Sequence, residues 1–455
     1  MPPYHYSKLE SSRRVDRVRL LKRIPRKHVP PADAARTQSQ LYDIIEVNLN
    51  EAPKYETVSY VWGSARRIEH LPLVNDRYIL ITETLREALQ YVSKASRYGC
   101  LWIDQVCINQ DDIDERNEQV LLMRDIYIQA KSCFIWLGTG DQNTQDLKSW
   151  SRQNEISEHS KYQSSSTDYL LPDGEPVAAT PQLEPDSAPT ASNSRRWFKR
   201  MEVSERPKYQ FSNMESLLPD RERAVPTPGL GSDCGWTAIF TRPWFKRAWV
   251  FQEAALSRRL LFVAGADQFS WNALDNMLWN TIWADRATAS KVSDSLSQPV
   301  LQGMHSFMNI CNTRRSSRIY GIFAWDFAST LASIAGIYEA QDPRDLVYAF
   351  VGIMIGGFRA LKLLHPDYRL PVARVFADTT KAIIVAHDDL SIFQMFWYDT
   401  ETMIDNVKMP SWVLVPTRSV TGGSAMERIR HHVTVSSGRR SLSRIMQLAS
   451  TDNIW

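Results

Sequence analysis

The segment LWIDQVCINQDDIDERNEQVLLMRDIYIQAKSCFIWLG, Leu101–Gly138, sets two short apolar runs on either side of one long amphipathic stretch. Cys100 to Asp104 reads as a short buried strand whose acidic residue falls where the chain leaves the sheet. Ile113 to Ala130 has helical periodicity. Val120, Met123 and Tyr127 recur at three- and four-residue spacing, and Ile113, Leu121 and Ile128 broaden the buried face. Asp111 or Asp112 suits the helix start, where orphan amides and the positive dipole end attract an acidic oxygen. Ser132 to Leu137 then reads as a second strand, ending at Gly138.

The same alternation continues upstream. Leu41–Leu49 and Thr57–Val61 read as strands separated by a turn at Glu51, Pro53 and Lys54, and Gly63–Arg67 reads as a loop. Thr82 or Thr84 caps a helix running to Lys94, with Leu85, Ala88, Leu89 and Val92 on its apolar side. Strands separated by helices predict an α/β fold with a mainly parallel central sheet flanked by helices. Such sheets gather ligand groups at the C-terminal ends of their strands, which directs attention to Asp104 and the loop after it.

Downstream, Thr139–Ser194 is rich in Ser, Gln, Asp, Asn and Pro, and Pro219–Gly235 is a second punctuated linker. Few apolar residues there offset the entropy of ordering, so a flexible insertion is expected over about 139–235. Order resumes at Trp236. Pro243–Ala255 reads as a helix with proline in its first turn, Leu260–Ala264 as a strand and Trp271–Leu278 as a helix. Leu331–Ala340, Asp345–Ile353 and Val372–Ala386 read as further helices. The expected organisation is a basic N-terminal extension over 1–40 and an α/β domain over 41–280. A mainly helical extension packed on it follows over 281–418, then a basic polar segment over 419–455.

Composition narrows the function classes. Lys and Arg number 54 against 51 Asp and Glu, and no block has the concentrated basic surface that nucleic acid requires. The most basic run, Arg13–His28, lacks the apolar core of a secretory signal and reads as an exposed tail leading into a first strand or helix. No run approaches the 18 or so apolar residues of a membrane span. Five cysteines without metal-ligand spacing fit a reduced, cytosolic or nuclear chain, and a cytoplasmic location is expected. The histidines form no compact ligand set, so no metal is expected. There is no Gly-rich loop ending in Lys-Ser or Lys-Thr and no repeat array, which argues against a built-in nucleotide-triphosphate switch.

Several ordered blocks resemble the fungal heterokaryon-incompatibility (HET) family. They are YETVSYVWG (Tyr55–Gly63), the Leu101–Gly138 segment and RPWFKRAWVFQEAAL (Arg242–Leu256). QDPRDLVYAFVGI (Gln341–Ile353), HPDYRLPVARVFADTT (His365–Thr380) and MPSWV (Met409–Val413) resemble sequences that follow the core domain in that family. The resemblance implies a role in nonself recognition and cell death, and a distant likeness to Toll/interleukin-1-receptor domains, some of which cleave NAD. It leaves open an enzyme of specialised metabolism on the same scaffold, or a non-catalytic interaction domain. NAD is implied as a candidate substrate rather than a resident cofactor, and a homo-oligomer or separate signalling partner as the route to activation.

Glu253 is the leading catalytic candidate. The resemblance places it, with Trp249, where a carboxylate would stabilise positive charge as the N-glycosidic bond of NAD breaks; the plain alternative is a salt-bridging helix residue. Asp104 is the second, able to bind a ribose hydroxyl or orient a basic residue, or simply to cap its loop. Trp62 and Gly63 offer a stacking wall and close backbone approach, although Tyr60 and Trp62, two apart, share a strand face suited to packing. Asn109 can read a polar ligand or satisfy the loop backbone. Arg116 can hold a phosphate or pair with an acid. Cys107, between Val106 and Ile108, is a thiol with no local histidine to activate it. Asp345 is placed to cap its helix or orient Arg344.

Overall fold

A computed structural model describes residues 2–9, 16–29, 33, 40–64, 66–161, 235–283, 296–320, 331, 336–353, 364–387, 403–404, 407–408 and 413. Most of the polar insertion, the 419–455 segment and nearly all of Met409–Val413 lie outside the described residues. The chain divides into two compact units, one of Met1–Arg152 with Pro228–Trp455 and one of Gln153–Thr227. In the second unit the described residues are the helical 153–161; all that follows concerns the first.

In chain order the strands are β1 (Arg17–Arg23), β2 (Tyr42–Asn48), β3 (Glu56–Ser59), β4 (Glu69–Leu73), β5 (Arg77–Ile81), β6 (Cys100–Trp102), β7 (Cys133–Trp136), β8 (Leu260–Ala264) and β9 (Asp267–Ser270). The helices are α1 (Glu83–Ala95), α2 (Asp104–Cys107), α3 (Ile113–Gln129), α4 (Gln142–Lys161), α5 (Trp249–Leu256), α6 (Trp271–Trp283), α7 (Gln298–Tyr320), α8 (Asp345–Val351) and α9 (Val372–His387). A short hairpin pairs Met403–Ile404 with Val407–Lys408.

The nine strands form one sheet in the order β5-β4-β2-β1-β6-β3-β7-β8-β9. Its heart, β6-β3-β7-β8, is parallel throughout, as strands joined through helices require. The expectation of a mainly parallel sheet is corrected at the flanks. β1 pairs antiparallel with both β2 and β6, and the hairpins β4/β5 and β8/β9 add antiparallel edges. Short turns build those edges, three residues between Leu73 and Arg77 and two between Ala264 and Asp267. Asn75 and Asp76 both take positive φ (58° and 54°) between β4 and β5, as a tight hairpin demands.

The Arg13–His28 run does lead into a first strand, but the strand is a buried one. From Arg17 it is β1, in mid-sheet, with Val18, Leu20 and Leu21 fully buried and Arg19 buried beside them. The sequence gives Arg19 the look of a surface charge, whereas the fold neutralises it on Glu115.

Alternation along the strands divides the core into two layers. Cys133 and Ile135 of β7 face the layer containing α3, α5 and α7, while Phe134 and Trp136 face the layer with α1. Val58 and Tyr60 also belong to the α1 layer, leaving Thr57 and Ser59 toward α5. Thr82 and Asp112 cap α1 and α3 through side chains that accept from Leu85 N and from Asp114 N and Glu115 N.

The 243–255 region is broken rather than continuous. A 3-10 turn, Pro243–Lys246, precedes α5, and Arg247 and Ala248 lie between them. Another departure is Leu331–Ala340, where Gly336 and Ile337 form a turn rather than a continuous helix.

α7 packs closely on the 3-10 turn Gly235–Thr241. A Cβ added at Gly303 would stand 2.0 Å from the Phe240 carbonyl oxygen. Gly303→Ala is therefore expected to destabilise by about 1–3 kcal/mol despite alanine's better helix propensity, because backbone must move to admit the methyl group. Urea unfolding of the variant checks this, and a gain in stability would contradict the packing.

Candidate functional site

β3 and β6 lie side by side and parallel, so Ser59 and Asp104 reach the same edge of the sheet. The break before α5 then delivers Arg247 and Glu253 to that edge. Glu253 is only 1% exposed. Its Oε2 accepts from Ser59 Oγ, which in turn accepts from Trp244 Nε1 at 2.8 Å. Its Oε1 accepts from Arg247 Nη1 at 3.3 Å. The same Nη1 donates to the Tyr60 carbonyl at 2.7 Å, and Nη2 donates to Asp104 Oδ2 at 3.3 Å. Trp62 Nε1 donates to that Asp104 oxygen at 2.8 Å, while Asp104 Oδ1 accepts from Gln105 N at 2.7 Å.

One guanidinium thus bridges two carboxyl groups. Burial pushes the Glu253 carboxyl up to about 7, Asp104 adds to that push, and Arg247 and Ser59 pull against it. Burial alone would weaken the Arg247 proton, but Glu253 and Asp104 outweigh it and hold the guanidinium charged. A carboxyl poised near neutrality beside an arginine and a second carboxylate is an arrangement suited to proton transfer or to stabilising a developing cation. The two acids differ in access. Glu253 is covered with both oxygens engaged, whereas the side chains of Asp104 and Arg247 retain 11% and 19% exposure and Trp62 is half-buried.

Trp62, Asp104 and Glu253 are therefore brought together through Arg247. Gly63 adjoins them with φ of 69°, and a Cβ there would meet Thr84 Oγ1 at 2.7 Å, so glycine serves the strand exit. Trp249 and Arg116 belong to a neighbouring group. The Asp345 carboxyl is pushed up to about 6 by burial, against hydrogen bonding from Tyr368 and Trp249. Tyr368 Oη donates to Asp345 Oδ1 at 2.6 Å, and the Arg116 guanidinium lies 3.8 Å from the Tyr368 ring centroid. Among the described residues Arg116 stacks on Tyr368 and pairs with no acid. Asn109 is a loop residue whose N–H donates to Glu115 Oε1 at 2.7 Å. Arg344 is oriented by Asp342, through contacts of 2.8 and 2.7 Å, and not by Asp345. Cys107 is fully buried, and burial pushes its thiol up to about 12, unsuited to nucleophilic work.

Arg247 and Trp244 stand in the same sequence block as Glu253, but nothing in that block shows that Arg247 bridges two carboxyl groups or that Trp244 reaches Ser59. Residue type alone does not single out Ser59. Strand alternation carried a signal for Ser59: with Val58 and Tyr60 on one face, the hydroxyl between them must enter the other layer.

Residues 55–253 match the family model described as Heterokaryon incompatibility protein (HET). The chain is also similar to Heterokaryon incompatibility protein 6, OR allele, of Neurospora crassa, with 35% identity over 102 residues. That match covers 20% of this chain and spans 15% of the relative's length. No solved structure matches the chain. Among the described residues no helix is long and apolar enough to cross a membrane.

Proposed function

Taking residues 55–253 as a heterokaryon-incompatibility domain, we propose that this chain acts in nonself response and hydrolyses NAD at its N-glycosidic bond. The observation that carries the chemistry is the Asp104–Arg247–Glu253 bridge, with Glu253 poised near neutrality at the ends of parallel strands. In this reading water adds to the ribose anomeric carbon as the bond to nicotinamide breaks. The bonding pair neutralises the pyridinium nitrogen, and ionised Glu253 accepts the water proton. Asp104 and Arg247 orient the ribose, and Trp62 walls the site. Binding must free one Glu253 oxygen from Ser59 or Arg247, which fits activation by self-association or by a separate signalling partner. The likeness to Toll/interleukin-1-receptor domains and a cytoplasmic location belong to the same proposal.

Nicotinamide release from NAD is the test, using dilute, concentrated and forcibly oligomerised protein. Turnover that falls at least a hundredfold in Glu253→Gln, with unchanged circular dichroism, is the expected result; a loss of this order is typical when a positioned acid–base group is removed. No release under any of the three conditions sinks the hydrolase reading. One observation favours a second reading, a non-catalytic interaction domain. Glu253 is already fully hydrogen-bonded and covered, as a structural buried carboxyl should be. An inactive protein that nonetheless self-associates would support it.

A further inference from the structure

We propose that Arg67, standing over the Trp62 ring, is the anion-binding residue of this site and takes the phosphate or diphosphate of its ligand. The inference deepens the reading above and rests on it for the site's identity as a nucleotide site.

Arg67 follows the Gly63 turn at the exit of β3, so it belongs to the loop beside Asp104 and Arg247. Its guanidinium carbon lies 5.8 Å from the Trp62 ring centroid. That ring is held in place from its other end, because Trp62 Nε1 is fixed on Asp104. An arginine resting on an anchored aromatic plane is pre-positioned at little entropic cost, with its in-plane donors left for a ligand.

The nearby acids are already engaged. Asp104 accepts from Trp62, Arg247 and Gln105, and Glu69 pairs with Arg86 at 3.0 Å. Among the described residues Arg67 makes neither a hydrogen bond nor an ion pair. A guanidinium with no carboxylate partner, beside a site whose other cation is bridged between two acids, is the group at this edge left to meet an incoming anion.

A second observation comes from beneath the loop. Tyr60, fully buried, has a hydroxyl without a hydrogen-bond partner, and Asp104, Arg247, Arg67 and Glu253 all act on it electrostatically. An unspent donor among these charges marks the junction as one that a polar ligand completes. Arg66 differs from its neighbour. It is exposed, its N–H donates to Ser64 Oγ at 3.3 Å, and among the described residues it rests on no aromatic ring.

The experiment is calorimetric titration of the full chain with inorganic diphosphate, ADP-ribose and adenosine at low salt. Inorganic diphosphate and ADP-ribose should bind, and Arg67→Ala should weaken both by about tenfold or more, with partial recovery in Arg67→Lys. Arg66→Ala should change them less than about threefold, as expected of a screened surface charge. Adenosine binding should not depend on Arg67. Failure of the wild-type chain to bind diphosphate at millimolar concentration overturns the assignment, as does equal weakening by the Arg66 and Arg67 variants. Diphosphate binding lost with Arg67, in a protein that releases no nicotinamide, upholds the anion site and removes only the hydrolase reading. Binding of inorganic diphosphate without ADP-ribose would identify a phosphate site and overturn the nucleotide assignment.

Discussion

Glu115→Leu is expected to lower the unfolding free energy by about 3–5 kcal/mol, the cost of stranding a buried charge. The charge is Arg19, fully buried in mid-sheet. Its Nη1 and Nη2 lie 2.6 and 3.1 Å from the two Glu115 oxygens, and its remaining contacts are weaker substitutes. They are Glu46 at 3.5 Å, the Ser7 and Cys107 carbonyls, and the Tyr6 ring at 4.8 Å. Glu115 also accepts from Asn109 N, so its loss loosens the turn following α2. Replacing both partners, as Arg19→Met with Glu115→Leu, should recover much of the loss, because the desolvation cost of the ion pair disappears with it. Urea unfolding of the two single variants and the double provides the measurement. A single-variant cost below about 1 kcal/mol would show that Arg19 finds water or Glu46 adequate.

The Arg19 example shows why part of this fold was legible in the sequence and part was not. Local periodicity and capping chemistry identified α1, α3, β7 and β8 closely, since those signals lie within a few consecutive residues. β8 spans Leu260–Ala264 as read, and Thr82 and Asp112 cap as their side chains permit. The mid-sheet burial of β1 was hidden because its arginines look solvated until Glu115, far along the chain, is known to face Arg19. The β4/β5 hairpin was hidden because its turn is Asn-Asp rather than the stronger glycine-containing signal. These two omissions account for much of the antiparallel pairing that the sequence reading lacked.

The site divides the same way. Asp104 at a strand end and Glu253 on a helix were each identifiable by residue type and position. Their meeting was not, since it depends on the helix break at Arg247 and on β3 lying between β6 and β7. Arg116 and Asn109 stand out in the sequence for their polarity, and in the fold Arg116 lies on the Tyr368 ring while the Asn109 N–H donates to Glu115. Polarity alone does not say which of a residue's groups the fold engages: the Asn109 contact is made by its backbone N–H, and Arg116 keeps an Nε without a hydrogen bond.

The stability of the wild-type chain should fall as pH rises from about 4.5 to 7, and Glu253→Gln should flatten that fall. The Glu253 carboxyl is raised from 4.5 to about 7 in the fold, principally by burial. Across this window the native state keeps a proton that the unfolded chain has released, so rising pH favours unfolding. Below pH 4.5 both states are protonated and the penalty is absent; above 7 both are ionised and it is complete. With Glu253 1% exposed, solvent screening is slight, and the shift corresponds to roughly 3 kcal/mol. Asp345, raised to about 6, contributes in the same direction between 3.8 and 6 in both proteins and cancels in the comparison. Urea unfolding of wild type and Glu253→Gln at pH 5 and pH 8 isolates the residue. The wild-type loss between those pH values should exceed the variant's by about 2–3 kcal/mol. Parallel curves would mean that Arg247 and Ser59 hold Glu253 ionised throughout. That outcome would remove the near-neutral carboxyl on which the proposed proton transfer depends, whatever the effect of Glu253→Gln on nicotinamide release.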